Sequence, residues 1–325
     1  MHDRGDAAAR AVGRDDHLAA LGESADVRSL VTTLRQEGNE CLHRGETSVA
    51  AERYALSLDI ARTVGWTLGI AHATNCLAAI AQRRGALAEA EQLYDEAALL
   101  AERAGDRRLS GFVQQNLGIL ACIRGDWDAA LARYRLSLTA LEAEGDLATV
   151  ALVLNNLGKL HGDRGEPALA DRAFQRAIEI ARDRGDTLVE GVVEQNRAEL
   201  LFSQRSFDEA AIACARSLQL ANERGDLLRT AETLKLRAKL ERERADYDRA
   251  LQTLEEAREL ARATEDALLA AELICEMGEV WRRRGERVMA GAMWTEALAA
   301  FQRAGASPAA ADTGLRLRNV AGGRM

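Results

Sequence analysis

Residues 116–137, NLGILACIRGDWDAALARYRLS, contain the pattern that decides the fold. Gly118 is followed by the dipeptide Gly125-Asp126, and then by Ala130, the aromatic Tyr134 and the small Ser137. A glycine in the left-handed conformation can end a helix, and the Asp after it can accept hydrogen bonds from the first free N–H groups of the next helix. The stretch therefore predicts two helices joined by a tight turn, with small residues where the helices cross.

The same turn recurs at multiples of twenty residues along the chain. Glycine stands at 45, 65, 85, 105, 125, 145, 165, 185, 225, 285 and 305, and Arg205, Ala245 and Glu265 fill the three gaps. Because alternate turns differ, the true period is forty residues, which is a pair of helices. Counted from Asp26, the chain divides into seven copies without an insertion: 26–65, 66–105, 106–145, 146–185, 186–225, 226–265 and 266–305.

Three positions of each copy are small and one is usually bulky. The thirteenth residues are Gly38, Ala78, Gly118, Gly158, Ala198, Ala238 and Gly278, and the twenty-fifth residue is Ala in every copy. The thirty-second residues alternate between Ser and Ala in the first six copies, and the twenty-ninth are Tyr54, Tyr94, Tyr134, Phe174, Cys214, Leu254 and Trp294. Small residues allow two helix backbones to approach closely, and the bulky residue fills the space beside the crossing.

This pattern resembles the tetratricopeptide repeat. The resemblance rests on Asn116-Leu117-Gly118-Ile119-Leu120 with the turn and Ala, Tyr and Ser residues after it, and on Asn155-Asn156-Leu157-Gly158-Lys159-Leu160. The forty-residue period is that of the family's longer-helix branch, as in Leu-Gly-Asn-type polarity scaffolds and bacterial regulators. HEAT and armadillo repeats have similar lengths but do not predict these small positions. The resemblance implies an all-α, right-handed α-α superhelical solenoid in which the first helices line the concave face.

The two ends fit the repeat less well. Residues 1–25 keep the twenty-residue phase only faintly, and we expect a polar tail with a short helix near Asp15 to Leu21. Residues 306–325 carry Pro308 near their start, followed by Leu315, Leu317 and Val320. We expect them to form a helix and tail that cap the last repeat, since a terminal repeat otherwise exposes an apolar face.

Composition narrows the class of partner. The chain has 325 residues with a formal net charge of -8, which argues against nucleic acid or an anionic membrane as the main partner. Its apolar stretches are too short to cross a bilayer, and its first residues are polar, so we expect a cytoplasmic protein. The preference for Arg over Lys fits a bacterial origin. Five cysteines, widely spaced and without a Cys-x-x-Cys pair, indicate neither a disulfide framework nor a zinc site.

We predict that the chain is not an enzyme and uses no cofactor or metal. The five histidines fall in the tail and in three different copies, without metal-binding spacing. The sequence carries no phosphate-binding glycine loop and no Gly-x-Ser-x-Gly motif. An enzyme that uses residues scattered over the groove is the less favoured alternative.

A row of amides is the candidate binding site. In this repeat class the tenth, eleventh, fourteenth and seventeenth residues of each copy face the concavity. The amides at the tenth and eleventh positions are Asn75, Gln115, Asn116, Asn155, Asn156, Gln195 and Asn196. An amide offers both a donor and an acceptor, so the row can pair with the backbone of an extended peptide. The resemblance adds to this hypothesis, since the family's peptide grooves often use Asn where Asn116, Asn156 and Asn196 stand. The alternative is that these amides bind neighbouring helices or water.

Charged and aromatic residues beside the amides are candidates for specificity. Lys159, Lys235 and Lys239 could attract acidic side chains, although several acids lie near them. Phe112 and Phe202 fall outside the positions that hold most aromatics, and we interpret them as pockets or as packing between first helices. Six arginines recur just before the turn, at Arg44, Arg84, Arg124, Arg164, Arg244 and Arg284. Their place at helix C-termini favours a capping role over a polyanion site.

These observations favour a scaffold or adaptor that binds an extended peptide, or a helix, of a partner protein. One alternative is the peptide-sensing module of a bacterial signalling or transcriptional regulator, of which this chain could be a fragment. Another is a structural array that associates with copies of itself.

Overall fold

The computed structural model describes residues 24–321, and within this range it contains fifteen α-helices and no strand. In chain order, α1 to α8 are Ser24–His43, Thr47–Thr63, Thr67–Arg83, Leu87–Ala104, Arg107–Ile123, Trp127–Ala143, Leu147–Asp163 and Pro167–Asp183. Helices α9 to α15 are Thr187–Ser203, Phe207–Glu223, Leu227–Glu243, Tyr247–Ala263, Ala267–Arg284, Arg287–Arg303 and Ser307–Ala321. The prediction of an all-α fold is confirmed.

The predicted turn chemistry determines where the helices end. The turn glycines adopt the left-handed conformation, for example Gly125 at φ 75°. The following Asp caps the next helix: the Asp106 carboxylate accepts from the Leu109 N–H at 2.7 Å, and Asp126 accepts from Ala129 at 3.0 Å. Where Glu replaces Asp, as at Glu46, the side chain makes no capping bond. The shorter Asp side chain is thus the one that satisfies the free N–H groups.

Small residues lie where the two helices of a hairpin cross. The repeated alanines from Ala50 to Ala290 are fully buried. Each helical glycine at the thirteenth position lies against the bulky ring sixteen residues later, in the pairs Gly38 with Tyr54, Gly118 with Tyr134, Gly158 with Phe174 and Gly278 with Trp294. The rings are almost completely buried, so the hairpin core is a ring packed on a bare backbone.

The serines that alternate with alanine make an additional contact. Ser57 Oγ donates to the carbonyl oxygen of Val31 at 2.9 Å, Ser137 Oγ to that of Gly111 at 2.8 Å, and Ser217 Oγ to that of Gly191 at 2.9 Å. All three hydroxyls are buried and join the second helix of a hairpin to its first. Three hairpins therefore carry a polar link at the place where the others have only methyl groups.

The chain forms two compact units, Met1–Val153 and Leu154–Met325. In the first unit, helices α1 to α6 each pack against the next, and the first helices α1, α3 and α5 also contact one another in order. In the second unit the same holds for α8 to α15 and for the first helices α9, α11 and α13. Each unit is a TPR-like solenoid of stacked helical hairpins.

The ends of the chain are only partly described. The helix expected near Asp15 to Leu21 lies outside the described residues. Helix α15, Ser307–Ala321, packs against α14, and its Thr313 hydroxyl lies 3.6 Å from the Cys275 thiol of α13. Of the helices in residues 24–321, none combines the length and the apolar character that crossing a membrane requires.

Candidate functional site

The predicted amides pair with one another between neighbouring hairpins. In the first unit, Asn116 Nδ2 of α5 donates to Asn75 Oδ1 of α3 at 3.1 Å. In the second unit, Asn196 Nδ2 of α9 donates to Asn155 Oδ1 of α7 at 2.8 Å. The same bond therefore joins corresponding positions in both units, and it fixes the direction in which each donor amide points.

This pairing leaves part of each donor amide available. Asn116 and Asn196 are half-buried, and the bond uses one of the two N–H groups of each. Among residues 24–321 these two amides show no other hydrogen bond, so their second N–H and their carbonyl oxygen remain for another partner. Asn155, in contrast, is buried and serves as the acceptor. An ordered amide with a free donor and acceptor is what backbone recognition of a peptide requires.

The other predicted amides differ in accessibility. Gln115 and Asn156 are half-buried, and Asn156 stands beside the buried Asn155 on α7. Gln195 is buried, and its Oε1 lies 3.4 Å from Arg229 Nη1 and 3.4 Å from Thr233 Oγ1. Gln195 thus contacts the neighbouring helix α11, as the alternative interpretation of the amides expects.

Two of the three lysines are held by acids of the next hairpin. Lys235 Nζ lies 2.5 Å from Glu272 Oε2, and Lys239 Nζ lies 3.3 Å from Glu276 Oε1. Lys159 is exposed on α7. The acids that the sequence places near these lysines therefore neutralise part of the positive charge.

The two candidate phenylalanines lie in different settings. Phe112 is half-buried in α5, with the Arg108 guanidinium 5.6 Å from its ring centroid. Phe202 packs at the end of α9 against Phe207, with a centroid distance of 5.6 Å and the rings tilted by 56°. Phe202 also lines a cavity that contains Lys239, so these two predicted residues lie together.

The repeated arginines have a role that their place before the turn does not reveal. Arg84, Arg124 and Arg244 do follow the last residue of a first helix. The side chains of three repeated arginines reach back to the preceding hairpin: Arg124 pairs with Glu91 at 2.6 Å, Arg244 with Asp208 at 2.6 Å and Arg284 with Asp248 at 2.5 Å. An acid 36 residues before the arginine, as in the last two pairs, is the signal that could have found this contact.

Burial keeps two cysteine thiols and one histidine neutral. Burial raises the pKa of the Cys76 thiol to about 11 and that of Cys214 to about 12. Burial, reinforced by Arg35, lowers the pKa of His72 to about 4. A protonated thiol is a poor nucleophile and a poor metal ligand. Within residues 24–321, no cluster of three His, Cys, Asp or Glu side chains could hold a metal ion.

A family model of the tetratricopeptide repeat matches residues 69–143, 113–183 and 191–263, which together make up more than half of the chain. The chain belongs to the tetratricopeptide repeat family. Proteins of this repeat fold are generally interaction scaffolds without catalytic activity. No curated protein matches the sequence significantly.

Several solved tetratricopeptide repeat proteins share the fold at low sequence identity. The apo quorum sensor NprR from B. thuringiensis is 14% identical, with a TM-score of 0.69 over 90% of this chain and 85% of its own. A STAND signal-transduction ATPase with a tetratricopeptide repeat sensor, from Pyrococcus horikoshii, is 14% identical with a TM-score of 0.67 over 93% of this chain and 48% of its own. A Rap protein complexed with competence and sporulation factor is 11% identical, with a TM-score of 0.57 over 89% of this chain and 97% of its own.

Proposed function

We propose that this chain is a non-enzymatic interaction module whose first helices bind an extended peptide, or a helix, of a partner protein. The observation that carries the proposal is the bond between Asn196 and Asn155, together with its counterpart between Asn116 and Asn75. Each bond orders a half-buried amide that keeps a donor and an acceptor for a peptide backbone. Asn156 has the same repeat position as Asn116 and Asn196, and we assign it the same role.

The comparisons agree with this function. Two of the similar structures are those of a quorum sensor and of a Rap protein complexed with competence and sporulation factor. Those activities belong to those proteins, and the likeness to them extends only to the fold. The two structures support the general proposal that helical hairpins stacked in this way can bind peptides or proteins.

The test uses peptides selected from a random display library on the full-length chain. Replacing Asn116, Asn156 and Asn196 together by Ala should weaken binding of a selected peptide, by about 0.5–1.5 kcal/mol for each hydrogen bond to the peptide that is removed. The helical circular-dichroism signal should stay the same. Unchanged affinity in this triple variant contradicts the proposed site.

A matched variant separates peptide contact from helix pairing. Asn155→Ala removes the same bond as Asn196→Ala, but Asn155 is buried and cannot reach a ligand. We expect Asn196→Ala to weaken peptide binding clearly more than Asn155→Ala. Equal losses would mean that the amides act only by joining the two helices.

A peptide sensor is the second candidate, and one comparison favours it. The STAND protein uses a tetratricopeptide repeat as its sensor, and this chain covers 48% of that protein's length. In a sensor, peptide binding changes the arrangement of the hairpins. Small-angle scattering with and without the selected peptide should then differ, whereas a rigid adaptor gives superimposable curves.

A further inference from the structure

A cavity of about 720 Å³ lies in the second unit, beside the C-terminal helix. Its walls come from α9, α11, α13, α14 and α15, and the apolar residues among them are Phe202, Trp294 and Val320. This volume lies in the range of roughly 300–1,000 Å³ that ligand sites occupy. The cavity is therefore large enough to hold side chains of a bound segment.

Positive charge dominates the cavity. Five cations line it, and they are Lys239, Arg242, Arg282, Arg287 and Arg316. Two carboxylates, those of Glu276 and Glu279, oppose them. The wall thus carries three more cations than carboxylates, and two acids just outside it offset part of this excess: Glu243 lies 3.4 Å from Arg242, and Asp312 lies 2.9 Å from Arg316.

The two carboxylates are already shared among several cations. Glu276 lies 2.7 Å from Arg242 and 3.3 Å from Lys239. Glu279 lies 2.6 Å from Arg282, and Arg283 is 3.4 Å from the same carboxylate. One carboxylate cannot satisfy all the donors of two cations, so internal pairing leaves N–H groups in the cavity wall.

Arg242 is the clearest case of an incompletely paired cation. Its side chain is only 10% exposed, and within the described residues its buried Nε has no hydrogen-bond partner. A buried donor of a charged group that lacks an acceptor is costly, and structures seldom retain one without a reason. An anionic ligand in the cavity would bring hydrogen-bond acceptors and negative charge close to this guanidinium.

We propose that this cavity binds carboxylate side chains of the partner peptide, with a neighbouring apolar side chain of the peptide packed on Phe202 and Val320. The inference rests on the proposed function and adds the sequence preference of the bound peptide. The preferred peptide contains Asp or Glu next to a large apolar residue. Arg287 and Arg316 lie at the cavity wall. Arg316 Nε donates to Asp312 at 2.9 Å, so the terminal nitrogens of Arg316 and the guanidinium of Arg287 supply the donors for such carboxylates.

The first experiment compares display selections on three full-length proteins. They are the wild type, the double variant Arg287→Gln with Arg316→Gln, and the control Arg303→Gln, which removes an exposed arginine of α14 outside the cavity. We expect Asp or Glu beside an apolar residue to be enriched on the wild type and the control, and this enrichment to disappear on the double variant.

The outcomes separate the two proposals. If all three proteins select peptides without a preference for Asp or Glu, or with the same preference, the proposal for the cavity is wrong, whereas peptide binding by the amides of the first helices is not contradicted. If no protein selects any peptide, the proposed function itself fails and the cavity inference with it. Thermal unfolding of the double variant must match the control, so that lost binding is not lost folding.

A binding titration with one selected acidic peptide measures how much affinity the double variant loses. Its affinity should fall about tenfold in the double variant and stay within about twofold of wild type in the control. Replacing the Asp or Glu of the peptide by Asn or Gln should produce a similar loss on the wild type and little further loss on the double variant. If the loss from the peptide substitution and the loss from the double variant are additive, the carboxylate of the peptide does not contact Arg287 or Arg316.

Discussion

A Cβ atom added to Gly158 would lie 2.6 Å from Cδ1 of Phe174, closer than real side chains approach. Gly162, one turn later in the same helix, has room for a methyl group, because its added Cβ would lie 3.5 Å from Leu200 Cδ1, an ordinary van der Waals distance. The two glycines therefore differ in what their missing side chain does. At Gly158 the Phe174 ring packs directly on the helix backbone, whereas no aromatic ring packs on the backbone at Gly162.

This contrast predicts opposite effects of one substitution. Gly158→Ala should lower the free energy of unfolding by about 1–3 kcal/mol, because the buried Phe174 ring must move. Gly162→Ala should raise it by up to about 1 kcal/mol through helix propensity. Urea unfolding of both variants measures the difference, and a stabilised Gly158→Ala variant would refute the packing argument.

The buried Glu190 predicts a pH-dependent contribution to stability. Burial would raise its pKa, but hydrogen bonds from Arg216 and Arg182, at 2.9 and 2.8 Å, outweigh this and hold the pKa below its ordinary value. A lowered native pKa stabilises the fold at neutral pH, and this stabilisation is lost as pH falls through it. Glu190→Gln should thus cost about 1.5–3 kcal/mol at pH 7.

The deficit of Glu190→Gln should shrink as the pH falls below about 4.3, the ordinary pKa of Glu, because the wild-type carboxyl then becomes protonated. Denaturant unfolding from neutral pH down to about pH 3 follows this change. Glu179→Gln, at an exposed position of α8, is the control and should alter stability little at any pH. If the loss of stability in Glu190→Gln does not vary with pH, the charge of the Glu190 carboxylate is not the cause of that loss.

Arg205 occupies a turn position that glycine holds elsewhere, with φ 64°. The left-handed conformation costs a residue with a side chain roughly 1–2 kcal/mol, and the greater freedom of unfolded glycine offsets about half of this. Arg205→Gly should therefore stabilise the protein by about 0.5–1 kcal/mol. Arg224→Gly, at φ -90°, should destabilise it, and thermal unfolding compares the two variants.

The ion pair of Arg244 with Asp208 should contribute little despite its short distance of 2.6 Å. The Asp208 side chain is 95% exposed, and exposed pairs are typically worth about 0–1 kcal/mol. A double-mutant cycle with Arg244→Gln and Asp208→Asn should give a coupling energy below about 1 kcal/mol that decreases with added salt. A larger coupling, insensitive to salt, would show that the repeated arginines hold the hairpins together.

Most of the fold could be predicted because each local sequence signal recurs in several copies of the repeat. Left-handed glycines, capping aspartates and small crossing residues act locally, so their spacing alone places the helices. Tyr134 and Phe174 could be assigned to the core for the same reason. Single copies in which Arg205 or Glu265 replaces glycine keep the same backbone, because the packed helices around them impose it.

The candidate site was harder to predict, since side chains on neighbouring first helices compete for the same partners. Repeat position placed Asn116 and Asn196 on the correct helices, but did not specify their bonds to Asn75 and Asn155. The burial of Gln195 and the pairing of Lys235 with Glu272 depend on the distance between helices, which spacing along the chain does not specify. The cavity beside Arg242 needed the position of α15 as well.

The serine links to Val31, Gly111 and Gly191 occur in the first, third and fifth hairpins, and the other hairpins have alanine instead. Chemically, the first six hairpins thus repeat every eighty residues, which is twice their geometric step. Repeat arrays are often engineered by averaging all copies into one consensus unit. For this chain such averaging would merge two kinds of hairpin, so an artificial array should be assembled from tandem pairs.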